Sequence, residues 1–247
     1  MITAIILCKN EEKNLTECID SVSFCNETIV IDDESNDRSV KIAKGKGVRI
    51  ISRLLKDDFS DQRNHALTLA KNEWVLFVDA DERVSQELKK EILETVPSTT
   101  KGGFYIKRQD TMFGKILRHG ELSNKKFLRL AKKDSGKWVG KVHEEWMVLA
   151  DLGTLSAPLY HYPHQSITEF ISEVNMYTTI RSNELFKSGK KTNWMLIILY
   201  TKGKFIYTYF LKLGFLDGVP GLLVSLMMSF HTFLVRGKLY LLQKNKK

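Results

Sequence analysis

One feature constrains the fold more than any other: a strict alternation of short apolar runs and helix-period segments through the first hundred residues. The runs lie at 2–7, 28–32, 48–52 and 74–78. They are five or six residues long and rich in Ile and Val, which predicts strands buried on both faces. Between them, Asn10 can cap a helix whose apolar face is Leu15, Cys18, Ile19 and Val22. Ser35 or Asp37 can open a helix through Val40 and Ile42 that stops at Gly45 and Gly47. Ser60 can cap a helix over 61–71, and a helix runs from Ser85 to about residue 96. Strands alternating with helices of this length predict an α/β fold with a parallel sheet covered on both sides. In such sheets ligands bind beyond the carboxyl ends of the strands.

After residue 100 the rhythm changes. Segments 103–108, 127–131 and 139–142 read as strands separated by Gly and charged turns, a mixed or antiparallel extension of the sheet. Ser166 can cap a long helix to about residue 187, with Phe170, Ile171, Val174, Tyr177 and Thr178 on one face. The chain has 247 residues, enough for one large domain and an appendage. It shows no internal repeat. Its three cysteines, Cys8, Cys18 and Cys25, have neither paired metal spacing nor an even count, which fits reduced thiols in a cytosolic setting. Residues 2–7 are too short for a signal core and read as the first strand.

The predicted strand ends gather carboxylates: Glu11 and Glu12 after the first, Asp32, Asp33, Glu34 and Asp37 after the second, Asp79, Asp81 and Glu82 after the fourth. Crowded like charges repel, and a divalent cation or ligand hydroxyls relieve that repulsion. Asp79-Ala80-Asp81 is the most specific element. Two carboxylates one residue apart at a strand end suit Mg²⁺ or Mn²⁺ bridging a diphosphate. A solvated turn is the competing explanation. Neither the dinucleotide fingerprint nor the P-loop is present.

The strand followed by Asn10-Glu11-Glu12, the Val30-Ile31-Asp32-Asp33-x-Ser35-x-Asp37 element and the Phe77-Val78-Asp79-Ala80-Asp81-Glu82 element resemble family 2 glycosyltransferases of the GT-A fold. The resemblance covers about residues 1–165. It extends to Gln62-Arg63-Asn64, Phe127-Leu128-Arg129-Leu130, Val142-His143-Glu144 and Leu159-Tyr160-His161-Tyr162, a set similar to the lipopolysaccharide core β-1,4-glucosyltransferase subgroup. It implies a Rossmann-like mixed sheet with helices on both faces, and an inverting transfer of a sugar from a nucleotide diphosphate donor, usually UDP-linked, to an acceptor hydroxyl.

The resemblance also implies site roles. Asp81 is the expected metal carboxylate for Mn²⁺ or Mg²⁺. Asp79 and Ala80 lie near the ribose or donor sugar, and Asp32 and Asp33 near the uracil or ribose. Cys8, Asn10 and Glu11 line the nucleotide pocket. Arg63 either reaches a phosphate or the sugar, or is a solvated helix-terminal arginine. Glu144 is the expected general base, and the adjacent Glu145 points the other way on a strand. His161 is either a third metal ligand or a packed, hydrogen-bonded histidine, and His143 shares that ambiguity. Glu34, Asp37 and Glu82 read as solvated or capping.

The formal charge of +9 is unevenly placed. Residues 187–247 hold eleven of the 38 Lys and Arg but one of the 29 acids, Asp217, so the remainder is close to neutral. A nucleic-acid binder places its basic stripe on the folded module; here the basic residues accompany apolar runs, and no nucleic-acid partner is expected. The runs are 194–199 and 205–213, broken by Lys202, Gly203 and Lys204, then 216–235. Residues 219–235 carry no formal charge, at the lower limit for a spanning helix, and an interfacial helix pair fits as well. The expected organisation is a catalytic domain over 1–187 and a helical membrane-associating tail over 188–247. That places the protein, peripheral or monotopic, at the cytoplasmic face of the inner membrane, with a UDP-hexose donor (glucose first) and a lipid-linked glycan acceptor such as the lipopolysaccharide inner core. Transfer to a polyprenyl phosphate or a peptide side chain, a catalytically silent membrane scaffold, and a tail buried in a helical subdomain or oligomer interface stay open as alternatives.

Overall fold

The computed structural model describes the chain except residues 57, 122, 124, 142–143, 164–165 and 246–247. The chain forms two compact units: residues 1–109 with 124–161, and residues 110–123 with 162–247.

The first unit is built on the expected rhythm. Strands β1 (Ile2–Cys8), β2 (Glu27–Asp32), β3 (Arg49–Ser52) and β4 (Trp74–Asp79) alternate with helices α1 (Leu15–Ser21), α2 (Ser39–Gly45) and α3 (Phe59–Leu69). β5 (Glu82–Val84), α4 (Gln86–Thr95), β6 (Gly103–Met112), β7 (Lys115–Ile116), β8 (Lys126–Lys132), β9 (Gly136–Val139), β10 (Glu145–Val148) and β11 (Leu152–His161) follow, with β7 and the last residues of β6 counted in the second unit. Among the described residues the main sheet runs β3-β2-β1-β4-β8-β6-β11-β5, with β7 on β6. Its first four strands are parallel, and β8 joins β4 antiparallel, so the sheet is mixed.

Side-chain alternation explains the continuous apolar runs. Ala4, Ile6, Val30, Leu76 and Val78 pack against Leu15, Cys18, Ile19, Val22, Ala43, Leu88 and Ile92 of α1, its C-terminal turn, α2 and α4. Ile5, Ile29, Ile31, Val75 and Phe77 face Ala66 and Leu67 of α3 and the tryptophans of the β9–β10 hairpin. Both faces are covered, so neither tolerates a polar alternate residue.

Several helix starts differ from expectation. Asn10 caps nothing; it adopts a left-handed conformation with φ 55°, and α1 begins only at Leu15. Asp58 rather than Ser60 caps α3, accepting from the Asp61 N–H. Ser166 caps α5 as expected, and Ser85, where a helix was expected to begin, caps α4. The strand expected at 139–142 ends at Val139, with Val142 outside the described residues.

The second unit holds α5 (Ile167–Lys187), α6 (Trp194–Ile206), a π-helical stretch Tyr207–Leu211, a 3-10 turn Gly214–Asp217 and α7 (Gly218–Lys244). α6 runs unbroken through Lys202-Gly203-Lys204, and Lys204 is held by Glu121 at 2.6 Å. The core here is Met112, Leu117, Phe170, Val174, Val224 and Met227. Ile171, expected on the inner face of α5, is 52% exposed. α5 packs on α7 through this core, and both helices lie in the second unit. Asp217, the lone acid of the basic segment, is buried. It accepts from the N–H groups of Arg118 and His119, and its backbone carbonyl accepts from Lys115 Nζ.

The β9–β10 hairpin depends on Gly136. A Cβ there would collide with the Met147 carbonyl oxygen and lie 2.7 Å from the Val148 Cα, both fixed backbone atoms. Gly136→Ala is expected to cost about 1–3 kcal/mol by overpacking. Thermal unfolding followed by tryptophan emission checks this, since Trp138 and Trp146 lie on the two strands that must separate.

Candidate active site

The parallel register sets the strand ends side by side: Cys8 pairs with Asp32, Leu7 with Asp79, and Asp32 with Ser52. At the β2 end, both oxygens of Asp33 are engaged, one by the Leu55 N–H at 2.8 Å and one by Lys9 Nζ at 2.7 Å. Asp32 is also buried. Its Oδ2 accepts from the Ser35 N–H, and its Oδ1 has no partner. Asp32 lines an open cleft of about 490 Å³ with Glu34, Ser35, Val40, Lys44, Ile50 and Ser52. The Asn10 N–H donates to Ser35 Oγ, and Asn10 Oδ1 accepts from the Asn36 N–H, which ties the turns after β1 and β2 together. Glu11 bonds Ser39 through its N–H and accepts from Asn14 Nδ2. The Cys8 side chain lies in the core, where burial pushes its thiol up to about 12, and its carbonyl accepts from the Asp33 N–H. Asp37 accepts from the N–H groups of Glu12 and Ser39, but the N-cap position of α2 is Arg38 and no side chain caps that helix, so neither Ser35 nor Asp37 is its cap.

At the β4 end stands a network of charges. Asp79 has a guanidinium on each carboxylate oxygen: Arg63 Nη2 on Oδ1 at 2.8 Å and Arg129 Nη2 on Oδ2. Arg63 Nε also donates to Glu144 Oε1 at 2.7 Å. Arg129 donates to Glu82 Oε1 at 3.0 Å, and Glu82 accepts from the Asp79 N–H. Arg63 and Arg129 are buried, so Arg63 is no solvated helix-terminal residue. Its guanidinium lies 4.7 Å from the Trp138 ring and 5.4 Å from the Phe77 ring. Trp138 stacks on Trp146, both meet Phe77 edge-on, and Asn64 bonds both backbone groups of Trp138. α3 thereby delivers Arg63, and the hairpin holds it flat. Glu144 precedes β10 and turns inward to Arg63, while Glu145 on the strand is exposed. His143 lies outside the described residues.

Burial works against the charge of Asp79, but Arg129 and Arg63 outweigh it and hold the carboxyl far below the usual carboxylate range. Burial likewise opposes the charge of Arg129, yet Asp79 and Glu82 bind its proton more firmly than usual. Glu82 was expected to be solvated or capping. It is fully buried, and that burial raises its pKa against the pull of Arg129.

Asp81 faces another way. Its Oδ2 lies 3.1 Å from His161 Nε2, and β5 pairs with β11 so that Glu82 opposes His161. Burial raises the Asp81 carboxyl, but His161 more than offsets this and lowers it. Ala80 is buried and gives its carbonyl to Arg83 Nη1. Among the described residues no group of three or more His, Cys, Asp or Glu is arranged to hold a metal ion. One carboxylate beside one imidazole still fits Mg²⁺ or Mn²⁺, because such sites take one or two protein ligands and complete their shell with substrate phosphates and water.

Arg129 had no assigned part in the sequence, and Glu82 only a solvated or capping one. Arg129 sits in an otherwise apolar stretch, Phe127-Leu128-Arg129-Leu130-Ala131, and a buried strand that keeps one arginine signals a buried anionic partner.

A family model described as "Glycosyl transferase family 2" matches residues 3–151, which include both strand ends, Arg63, Arg129 and Glu144. The chain belongs to glycosyl transferase family 2. This glycosyltransferase is 30% identical to an uncharacterized glycosyltransferase of Rickettsia bellii, over 96% of its own length and 85% of the relative's. It is 24% identical to the lipopolysaccharide core biosynthesis glycosyltransferase LpsC of Rhizobium meliloti, over 97% and 92% of the two chains. Among solved structures it is similar to S. aureus TarS 1-349 in complex with UDP-GlcNAc, with a TM-score of 0.49 and 15% identity, covering 99% of this chain and 92% of that one. His161 lies beyond the family-matched segment of the glycosyltransferase.

Asp79→Asn leaves two buried guanidinium groups facing a neutral amide and is expected to cost about 3–5 kcal/mol. The contribution of Asp79 is present above the ordinary aspartate pKa of about 3.9 and fades as pH falls toward the much lower folded-state value. Urea unfolding at pH 7 and at stepped pH below 4 checks both points: the wild type loses stability more steeply with acid than Asp79→Asn does.

Proposed function

We propose that this glycosyltransferase is inverting and metal-dependent, and that it moves a hexose, glucose from UDP-glucose, to a hydroxyl of a lipid-linked glycan such as the lipopolysaccharide inner core. One observation carries the reading. Arg63 joins Asp79 of the D-x-D turn to Glu144 through a single guanidinium, so the donor end and the candidate base form one constellation. The name of LpsC, matched along nearly the whole chain, supports the acceptor class.

In a single in-line displacement, the acceptor oxygen bonds to the anomeric carbon as the bond from that carbon to the diphosphate oxygen breaks. The nucleotide diphosphate leaves with the electron pair, and the acceptor proton passes to the Glu144 carboxylate. Arg63 is a positioning residue: it fixes Oε1 of Glu144 and leaves the second oxygen for the hydroxyl. Asp81 and His161 would hold Mn²⁺ or Mg²⁺, which when bound neutralises charge on the leaving diphosphate. Asp32 Oδ1, unpartnered in its cleft, suits an N–H or O–H donor on the nucleoside. Asp33, Asn10 and Glu11 shape that side of the pocket, Cys8 and Ala80 contribute backbone, and Asp79 orients the two arginines. The catalytic part is assigned to residues 1–187. Residues 188–247 hold it at the cytoplasmic face of the inner membrane, where a lipid-linked acceptor is presented.

A UDP-release assay with UDP-glucose, Mn²⁺ or Mg²⁺ and lipopolysaccharide acceptor tests this. Asp81→Ala is expected to abolish turnover. Glu144→Gln, which keeps the bond to Arg63, is expected to lower kcat by about 10²–10⁴-fold with the donor KM little changed. Asp32→Asn is expected to raise the donor KM more than it lowers kcat. A polyprenyl phosphate acceptor is already ionised and needs no base, so near-normal turnover of Glu144→Gln would point to that acceptor instead.

A further inference from the structure

Building on the proposed membrane association, we infer that the glycosyltransferase lies on an anionic bilayer without crossing it, and that α6 with the turn after it, not α7, is the element that enters the lipid. By length and composition alone, Gly214–Lys244 is the described stretch able to span a membrane. Its helix α7 has 27 residues, about 40 Å at 1.5 Å each, against a hydrocarbon core of about 30 Å. Its packing opposes that use. Val224 and Met227 are buried with Phe170 and Val174 of α5. Eleven residues on, Lys238 Nζ donates to Asn175 Oδ1, the Asn175 carbonyl, Thr178 Oγ1 and Thr179 Oγ1 of the same helix. α7 is therefore fastened to α5 at two levels. α5 carries the exposed Arg181–Glu184 ion pair and ends at Lys187, and helices so charged do not enter hydrocarbon. At the start of α7, buried Asp217 is bonded to Arg118 and His119. Crossing the bilayer would drag all of this with it.

α6 is tied to α7 where Ser229 Oγ donates to the Thr201 carbonyl, yet no residue of α6 is buried. One side of it stands in solvent, with Trp194 66%, Met195 56% and Leu199 65% exposed. The chain beyond continues the surface, with Phe210 52%, Leu211 71% and Leu216 52% exposed. An exposed apolar surface of this extent marks an interaction site. Its border selects the partner. Lys190, Lys191, Lys202 and Lys212 are exposed beside it, while the one acid of the segment, Asp217, is buried. Arg236 stacks on Tyr200 at 3.8 Å. An apolar face with a cationic border and aromatic residues matches an anionic lipid surface, where acyl chains take the apolar groups and headgroups the lysines.

Flotation with sealed vesicles of phosphatidylglycerol and phosphatidylcholine tests this on the full chain. The wild type is expected to float with anionic vesicles and far less with phosphatidylcholine alone. Leu199→Glu with Leu211→Glu, at positions already in solvent, is expected to lower the bound fraction about tenfold or more with an unchanged circular dichroism spectrum. Trp74, Trp138 and Trp146 are buried, so the quenching by brominated lipid that disappears in Trp194→Phe reports α6 itself. A C-terminal tag is expected to stay open to added protease. Protection of the tag, or unchanged flotation of the double variant, overturns the inference while membrane association stands. No flotation of the wild type overturns membrane association itself. A dimer in lipid-free solution that the same two substitutions dissolve shows that a second copy covers the face, and also overturns the inference.

Discussion

The first unit depends on one carboxylate held between two buried arginines. Arg63 comes from α3, Arg129 from β8 and Asp79 from β4, so the ion pairs tie a helix and an antiparallel strand to the end of a parallel one. Neither arginine is tolerable alone in an apolar interior; each needs its anion. Glu82 and Glu144 complete the neutralisation, one behind the D-x-D turn and one on the hairpin side. Structural and chemical needs thus converge on the same atoms. The groups that keep the arginines buried also aim Arg63 at the proposed base.

The aromatic floor beneath Arg63 extends this logic. Phe77, Trp138 and Trp146 restrict a guanidinium that would otherwise be mobile, and the planar fork of arginine suits it to two carboxylates in different directions. Lysine at this position could neither stack in the same way nor reach both acids with fixed geometry. Asp81, the second carboxylate of the D-x-D turn, pairs with His161 rather than with Arg63 or Arg129.

The parallel half of the fold was legible because its cause is local. Strands buried on two faces must be apolar throughout, and β1 to β4 are. The Ser166 cap and the start of a helix at Ser85 were legible for the same reason. Asn10 misled because its turn residue type serves a left-handed bend as well as a cap. β11 carries Gly153 and Pro158, which depress strand propensity, and only its pairing partners make it a strand. The D-x-D turn and Glu144 stood out in the sequence as candidates, but the part played by Arg63 did not. Its two partners lie 16 and 81 residues away, and nothing near Arg63 distinguishes a buried arginine from a solvated one. Arg129 and Glu82 escaped for the same reason: their meaning is each other, 47 residues apart.

The joining of α5 to α7 has a practical consequence for anyone wishing to shorten the chain. Cutting after residue 187, where composition changes, would strip Val224 and Met227 from Phe170 and Val174 and leave a sticky, half-covered helix. A cut before α5 is cleaner for that helix, but residues 110–123 fold with the C-terminal helices and would lose their partners as well. The apolar C-terminal segment is therefore not a detachable anchor. Solubility is better sought by recolouring the outward side of α6 than by deletion.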